Sequence, residues 1–595
     1  MVPGLQSQLK YLLTDLDGSL SLNLCLSPET VSYSVNTRGS LSPFPNTAAS
    51  QSSASMAPSV MADTNTALKH RSERDIRSPD MEYNSSVEDF REYEYPNMAQ
   101  GAYLDHGGAT IYARSLITGF SQAMIGNLWG NPHSENLPAK LSGDMVDNIR
   151  AKALDFVGAD PKYFDLVFVA NATAAIKLVA DAFRDIGEKT PTKGFWYGCH
   201  KEAHTSIIGV RALTSGDYHC FEDDESVEEW ISRPFSCQSR RGKSTSLGLF
   251  AYPGQSNLSG RRLPQDWSKR IRQHPQLRNV YTLFDAAALA MTSSLSSLFH
   301  DPMDAPDFTC LSFYKIFGFP DLGALVVRRA SGHILNLRRY FGGGTISQLS
   351  PSKDSRVMKK VPGLGDLHKI WDIHEGVEDG TLPFHSILAL GVAIDTHLRL
   401  YGSMDTISRH CCYLARYLYE RLVDLKHQNG SPLIELYVDS PFMYGDPSLQ
   451  GPTFAFNIMK EDGSYIPWTQ VERLANSAGV YIRAGGVCCP GGVAKALDYE
   501  DWEWDRIFSS GHACGSSEMA VIHNKPTGIV RASLGPMTTK RDIQAFISFL
   551  SNEFSTKSAP IPRLLGTAKD LPLREKFPYL TSEKEFRERD LVYEH

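Results

Sequence analysis

Ser312-Phe-Tyr-Lys-Ile-Phe-Gly318 is the stretch on which the reading of this chain turns. Lys315 stands among Phe313, Tyr314, Ile316 and Phe317, so its amine is expected to lose hydration on folding. That loss lowers an amine's pKa and favours the neutral nucleophile that imine formation requires. The same neighbours equally suit a lysine that lays its stem along a buried segment and keeps its charge in water. Gly318 and Gly323 would let backbone pass close to a bound ring.

What accompanies Lys315 separates the two readings. Asp285 ends the apolar run Val280 to Phe284, at the strand end where open α/β sheets place ligand-binding groups. A carboxylate there can pair with a pyridinium nitrogen and make the ring an electron sink, although an aspartate capping the next helix would look the same. Val169-Ala-Asn-Ala-Thr-Ala-Ala175 joins a predicted strand to a predicted helix, so the N–H groups around Ala172 to Ala174 suit a phosphate at the helix N-terminus. Thr173 adds a hydroxyl and Ser312 offers a second; an ordinary helix cap is the alternative. Together these residues point to pyridoxal 5'-phosphate held by Lys315 as a Schiff base.

Around this centre, short apolar runs alternate with amphipathic helical stretches. Strands are expected at Leu166 to Ala170, Phe195 to Tyr197, Leu247 to Tyr252, Val280 to Phe284 and Leu322 to Val327. The helix after the first carries apolar residues at Ala175, Leu178, Val179, Ala182 and Ile186. Such alternation predicts an α/β fold with a largely parallel sheet covered on both faces. The domain reading is a Ser/Thr-rich, disordered segment over 1–95, a large domain over 96–384, a small α+β domain over 385–555, and a charged tail over 556–595. In the small domain, long helices are expected at His385 to Tyr401 and Met404 to Leu425, strands at Leu433 to Val438 and Thr453 to Met459, and a last helix at Arg541 to Phe554.

Bulk composition narrows the function classes. With 42% hydrophobic and 21% charged residues, most of the chain can bury a core, and 595 residues allow several units. A net charge of −7 gives no attraction for phosphate backbones, and Arg240-Arg-Gly-Lys243 reads as a solvated loop, so nucleic acid is discounted. No run reaches the length of a membrane span, and no secretory leader is evident. Ten cysteines without a Cys-x-x-Cys pair suggest reduced thiols, no metal, and a cytoplasmic protein.

Seven motifs in order, Tyr103-Leu-Asp-His-Gly-Gly-Ala109, Gly130-Asn-Pro-His-Ser134, Asn171-Ala-Thr173, Phe284-Asp-Ala-Ala-Ala288, Ser312 to Phe319, Tyr340-Phe-Gly-Gly-Gly-Thr345 and Glu378-Asp-Gly-Thr381, resemble the cysteine-desulfurase domain of molybdenum cofactor sulfurases, within the class V aminotransferase group. The resemblance runs from about residue 100 to about residue 553. It implies a PLP-dependent transferase fold of the aspartate aminotransferase type, with a mostly parallel, seven-stranded large domain and a smaller α+β domain. It also implies Lys315 as the Schiff-base lysine, Asp285 opposite the ring nitrogen, and Ala172, Thr173 and Ser312 at the phosphate. Asn257 would lie near the ring hydroxyl or substrate carboxylate. His204 would stack on the ring, with His200 as its rival. Arg531 would clamp the substrate's α-carboxylate through its planar fork. Thr345 would reach the phosphate of the opposite subunit, which implies a homodimer.

The resemblance is weakest at the nucleophile. Related sulfurases carry Arg-Thr-Gly-Cys-Phe-Cys-Asn-Pro-Gly-Ala-Cys, whereas this chain reads Arg483-Ala-Gly-Gly-Val-Cys-Cys-Pro-Gly-Gly-Val493. Cys488 matches the central, persulfide-bearing cysteine, on what reads as a mobile loop, and Cys489 raises a redox link with it. Ala288 stands where simpler desulfurases have glutamine. No segment after residue 555 resembles the second, molybdenum-binding domain of full sulfurases. The resemblance implies desulfuration of L-cysteine to alanine with a persulfide on Cys488; the sulfur acceptor stays open. The altered loop leaves room for a C–S lyase or tailoring enzyme acting on another amino acid or a cysteine conjugate. A non-catalytic binding protein on the same fold has no need of Lys315, Asp285 and Arg531 together.

Overall fold

The computed structural model describes residues 81–190, 194–214, 218–234, 247–352, 356–361, 372–440, 442–509, 519–522 and 524–555. Contacts divide the chain after Arg71, and every described residue falls in the second unit. Residues 1–80, Arg240 to Lys243 and the tail 556–595 lie outside the described residues.

Seven strands build the large sheet: β1 (Phe164–Val169), β2 (Trp196–His200), β3 (Tyr218–Phe221), β4 (Gly248–Pro253), β5 (Val280–Asp285), β6 (Phe308–Ser312) and β7 (Gly323–Arg328). They lie in the order β1-β7-β6-β5-β4-β2-β3. β7 is antiparallel to both neighbours, and the remaining pairs are parallel. The mostly parallel sheet expected from the alternating pattern is therefore present. Period two divides each strand between two cores. Phe164, Leu166, Phe168, Phe250, Tyr252, Phe284 and Val326 join one apolar cluster, and Val167, Leu249, Ala251, Leu283, Leu325 and Val327 join the other. Because both faces are covered, these strands read as continuous apolar runs.

β3 and β6 escaped the sequence reading. β3 is an edge strand of four residues, Tyr-His-Cys-Phe, with little apolar signal. β6, Phe-Thr-Cys-Leu-Ser, is fully buried although two of its five residues are hydroxylated; burial inside a sheet won over intrinsic polarity. This strand delivers Ser312 and Lys315.

The smaller sheet holds β8 (Ile434–Leu436), β9 (Thr453–Ile458), β10 (Arg483–Gly485) and β11 (Ile529–Ser533), in the order β8-β9-β11-β10, all antiparallel. Helices Phe384–Tyr401, Met404–Val423 and Lys540–Phe554 match the expected positions closely.

Two boundaries need correction. The unstructured segment does not extend to 95: Ser86–Glu94 is a helix, Val87 and Tyr95 are buried, and Arg91 pairs with Asp542 at 2.6 Å. Val87 and Phe90 face the core from a helix of nine residues, too short for a sustained apolar pattern. Nor does the small domain begin only at 385. Ala102–Tyr103 pairs in parallel with Val480–Tyr481, and Ala102 and Leu104 pack in the small domain's core. The N-terminal strand thus crosses to the small domain before the chain enters the large one.

Candidate active site

β1, β2, β4, β5 and β6 run in the same direction, so their C-terminal ends meet at one edge, where the loops leave room for a ligand. The pocket there is lined by Ala172, Thr173, His204, Asn257, Asp285, Ser312 and Lys315, together with Ser206, Gln255, Ala288 and Tyr314. Seven residues expected from sequence are thereby gathered from five separate segments.

Lys315 lies in the short helix Phe313–Phe317 that directly follows β6. Its amine is held below the ordinary lysine range, first by loss of hydration; Asp285 pulls the pKa up, and Arg531 and Arg483 push it down. Gly318, at φ +78°, has the freedom its position needs, but for a different reason from the one expected. A Cβ there would meet the backbone nitrogen of Tyr112 at 2.4 Å, and one on Gly323 would meet Asn171 Cα at 2.5 Å. Both glycines admit neighbouring protein backbone, not a ring.

Asp285 closes β5, and its Oδ1 accepts the N–H of Ala287 at 3.0 Å. The helix Ala172–Gly187 starts after β1, capped by Asn171, whose side chain accepts the Ala174 N–H at 3.0 Å. The Ala172 N–H donates to Ser312 Oγ at 3.0 Å. Two of the three N–H groups expected to cradle an anion are therefore used within the chain. The hydroxyls compensate: Thr173 Oγ1 and Ser206 Oγ lie 2.7 Å apart at the pocket wall. Ser206 had no sequence signal beyond standing two residues after His204.

His204 is the pocket histidine. Its Nδ1 accepts the Ser206 N–H at 3.1 Å, which leaves the ring proton on Nε2. Burial lowers its pKa, opposed by Asp285 and reinforced by Lys315, Arg483 and Arg531. His200, the rival, is fully buried elsewhere: its Nε2 is 3.2 Å from Asp224 and its ring lies near Trp267.

Arg531 sits on β11, almost wholly buried. Nη2 donates to Asp105 at 2.7 Å and Nη1 to the Asn257 carbonyl at 2.9 Å, while Nε is buried with no hydrogen-bond partner. Asp105, which sequence reading left inside a motif without a role, is the carboxylate that lets a buried guanidinium exist.

Asn257 lines the pocket and reaches outward as well, its Nδ2 donating to Val487 O at 2.7 Å. The Thr205 N–H donates to Cys488 O at 3.0 Å. The cysteine segment is thus tied to two pocket walls, and the mobile loop expected there is a braced turn. Cys488 is half-buried, whereas Cys489 is fully buried, donates to Glu202 O at 3.3 Å, and has its thiol pushed up to about 12 by burial. Both are free thiols. Thr345 lies away from this pocket: its hydroxyl donates to Gly342 O at 2.9 Å inside its own turn.

The donor set fits pyridoxal 5'-phosphate. A desolvated amine, a carboxylate at a strand end, two facing hydroxyls at a helix start and an imidazole converge on one pocket, and the buried Arg531 Nε nearby lacks an acceptor.

Comparison with known proteins agrees. The family model described as aminotransferase class-V matches residues 102–498. A molybdenum cofactor sulfurase of Aspergillus fumigatus is 47% identical over 502 residues, covering 84% of this chain and 57% of that protein. One of Botryotinia fuckeliana is 48% identical over 478 residues, covering 80% and 56%. The chain spans just over half the length of these relatives. Among solved structures, a cysteine desulfurase of Thermococcus onnurineus aligns with TM-score 0.57 at 17% identity, over 78% of this chain and 97% of that one. The Escherichia coli cysteine desulfurase CsdA aligns with TM-score 0.55 at 16% identity, over 79% and 98%. At those identities the two structures speak for the fold. The family match and the pocket together lead to one statement: the chain belongs to the class V aminotransferase family.

Proposed function

We propose that this protein is a PLP-dependent, cysteine desulfurase-like enzyme that converts L-cysteine to alanine and leaves the sulfur as a persulfide on Cys488. The observation that carries this reading is the bracing of the Cys488 turn by the pocket itself, through Asn257 to Val487 O and Thr205 to Cys488 O. A half-buried thiol thereby stands on a turn tied to the walls of the pocket that contains Lys315.

When bound, the cofactor withdraws electrons from the substrate's α-carbon. Lys315 holds it and, with its lowered pKa, serves as a proton carrier at the amine nitrogen. Asp285 would pair with the ring nitrogen, His204 would stack on the ring, and Thr173, Ser206 and Ser312 would hold the phosphate. Arg531 takes the substrate carboxylate on the guanidinium edge that includes the unpaired Nε. Cys488 Sγ, as thiolate, attacks the substrate sulfur; the new S–S bond forms as the Cβ–S bond breaks. The electron pair stays with the carbon skeleton, which takes up a proton, so the carbon product is alanine.

The active form is a homodimer in this reading. Three motif segments converge on a surface away from the pocket. Gly380 N–H donates to Gly343 O at 2.7 Å, Asp379 accepts the Gly342 N–H at 2.9 Å, and Asn131 Nδ2 donates to Thr381 Oγ1 at 3.3 Å. Ile125, Leu128 and Leu137 flank this region in sequence at 87%, 74% and 82% exposure, and Tyr340 is 66% exposed. Such apolar exposure supports burial by a second copy. Thr345's loop, not its hydroxyl, is what meets the partner. Among the described residues no helix is long and apolar enough to cross a membrane. All seven described cysteines are free thiols, which supports a reducing, cytoplasmic setting.

Incubation with L-cysteine is expected to yield alanine and protein-bound persulfide, and Cys488→Ser to lower alanine formation by about two orders of magnitude or more. Full alanine production by that variant overturns the role of Cys488. Release of pyruvate and ammonia in place of alanine makes the enzyme a C–S lyase.

A further inference from the structure

Arg483 and Arg531 are register partners on β10 and β11, so both guanidiniums project from the same face of the small sheet. Their surroundings differ. Arg531 is buried and answered by Asp105. Arg483 is half-buried, and its Nη2 lies 3.5 Å from Cys488 Sγ.

That contact is produced by an unusual turn. Val487 and Cys488 both adopt left-handed backbone, at φ +40° and +57°. For a β-branched residue this conformation is strained, and it persists only where the surroundings over-determine it. Here they do. Asn257 holds Val487 O at 2.7 Å, Thr205 holds Cys488 O at 3.0 Å, and the Cys489 N–H closes the turn onto Gly486 O at 3.0 Å. Beneath it Cys489 is anchored to Glu202 O. One consequence of holding two residues in this conformation is the direction of the Cys488 side chain, toward Arg483.

We propose that Arg483 is a further catalytic residue, the cation that holds the reacting sulfur of Cys488 both as the attacking thiolate and as the persulfide formed on it. The thiol proton passes to water before attack. The Cys488 sulfur then bonds the substrate sulfur as the substrate's Cβ–S bond breaks and carbon keeps the electron pair. The substrate thiol's proton is lost to water, leaving the terminal persulfide sulfur anionic. The negative charge moves outward by one atom, and the planar fork of Arg483 can follow it with a second N–H. The two arginines divide the anions: Arg531 takes the carboxylate of the amino acid, and Arg483 takes the sulfur.

This assignment rests on Cys488 being the nucleophile, and it is tested without turnover. Cofactor-loaded, substrate-free protein is treated with iodoacetamide near neutral pH, and modification of the Cys488 peptide is followed by mass spectrometry. R483Q is expected to react about tenfold more slowly than wild type, since the cation that holds the attacking sulfur is lost, while R483K stays within about threefold. The KM for L-cysteine is expected to change little in either variant. Equal alkylation rates in wild type and R483Q, with KM raised in the variant, overturn the proposal and give Arg483 to the substrate carboxylate. Cofactor absorbance reports whether R483Q is folded. Should it not fold, wild-type alkylation in rising salt replaces it: slowing supports the ion pair, and a flat profile overturns it. A wild-type protein that makes no alanine overturns the desulfurase reading and leaves the alkylation comparison standing.

Discussion

Lys315 shows how a residue's chemistry is set by groups distant in sequence. Burial strips its hydration, and Asp285, Arg531, Arg483 and Asp105 set the balance of charge around it. Because the folded amine's pKa is lowered, the neutral nucleophile persists to lower pH than in free lysine. The rate at which apoprotein forms its imine with added pyridoxal 5'-phosphate is therefore expected to rise with pH, with a midpoint below about 10.4, the ordinary lysine value. Arg531 pushes the pKa down, so Arg531→Gln is expected to move that midpoint to higher pH; absorbance of the bound cofactor checks both. Asp285 and Thr173 were legible because each stands at a strand end or helix start that periodicity marks, and Lys315 and Ser312 because of the aromatic stretch in which they lie. Ser206 and Asp105 were not, since each acquires its role only by meeting a residue distant in sequence, Thr173 and Arg531; Arg483 was not, because only the turn after β10 brings Cys488 back against it.

At the scale of elements, the position of β1 depends on a buried ion pair. Arg150, in the helix Leu137–Val157, meets Glu378 through two bonds of 2.6 and 2.9 Å, with side chains 7% and 5% exposed. Arg150 also donates to Leu166 O, and Glu378 accepts the Phe168 N–H, so the pair stitches helix, strand and the Glu378–Thr381 motif together. Glu378→Gln leaves a buried guanidinium uncompensated and is expected to cost about 3–5 kcal/mol. Chemical denaturation measures it, and a loss under about 1 kcal/mol would contradict this account. The motif had no assigned role in the sequence because ion pairing leaves no periodic trace. The helices Phe384–Tyr401, Met404–Val423 and Lys540–Phe554 were legible almost to the residue, since each carries a sustained apolar stripe, whereas Leu137–Val157 was not read from the sequence. β3 and β6 were missed because four- and five-residue strands with polar members give too little pattern.

For the whole molecule, the proposed homodimer is the reading with the widest consequences. Ile125 and Leu137 are exposed without visible need in one chain. Replacing both with glutamate is expected to shift the protein from dimer to monomer in sedimentation and to reduce alanine formation, because the loop ending at Thr345 is no longer brought to a second pocket. A monomeric wild type with full activity would remove the homodimer from the reading. Hydrophobic periodicity, a strand-end aspartate and helix-start hydroxyls, all local in the chain, point to an α/β fold and, with Lys315, to its cofactor; His204 and Asn257 came only through the family resemblance. Folding alone decides which charges meet. It pairs Arg531 with Asp105, buries Cys489 while holding Cys488 in a strained turn, and sets Arg483 against the sulfur. Periodicity reports the apolar surface each element must bury, whereas electrostatic partners are chosen by distance in space, which sequence separations of up to 426 residues conceal.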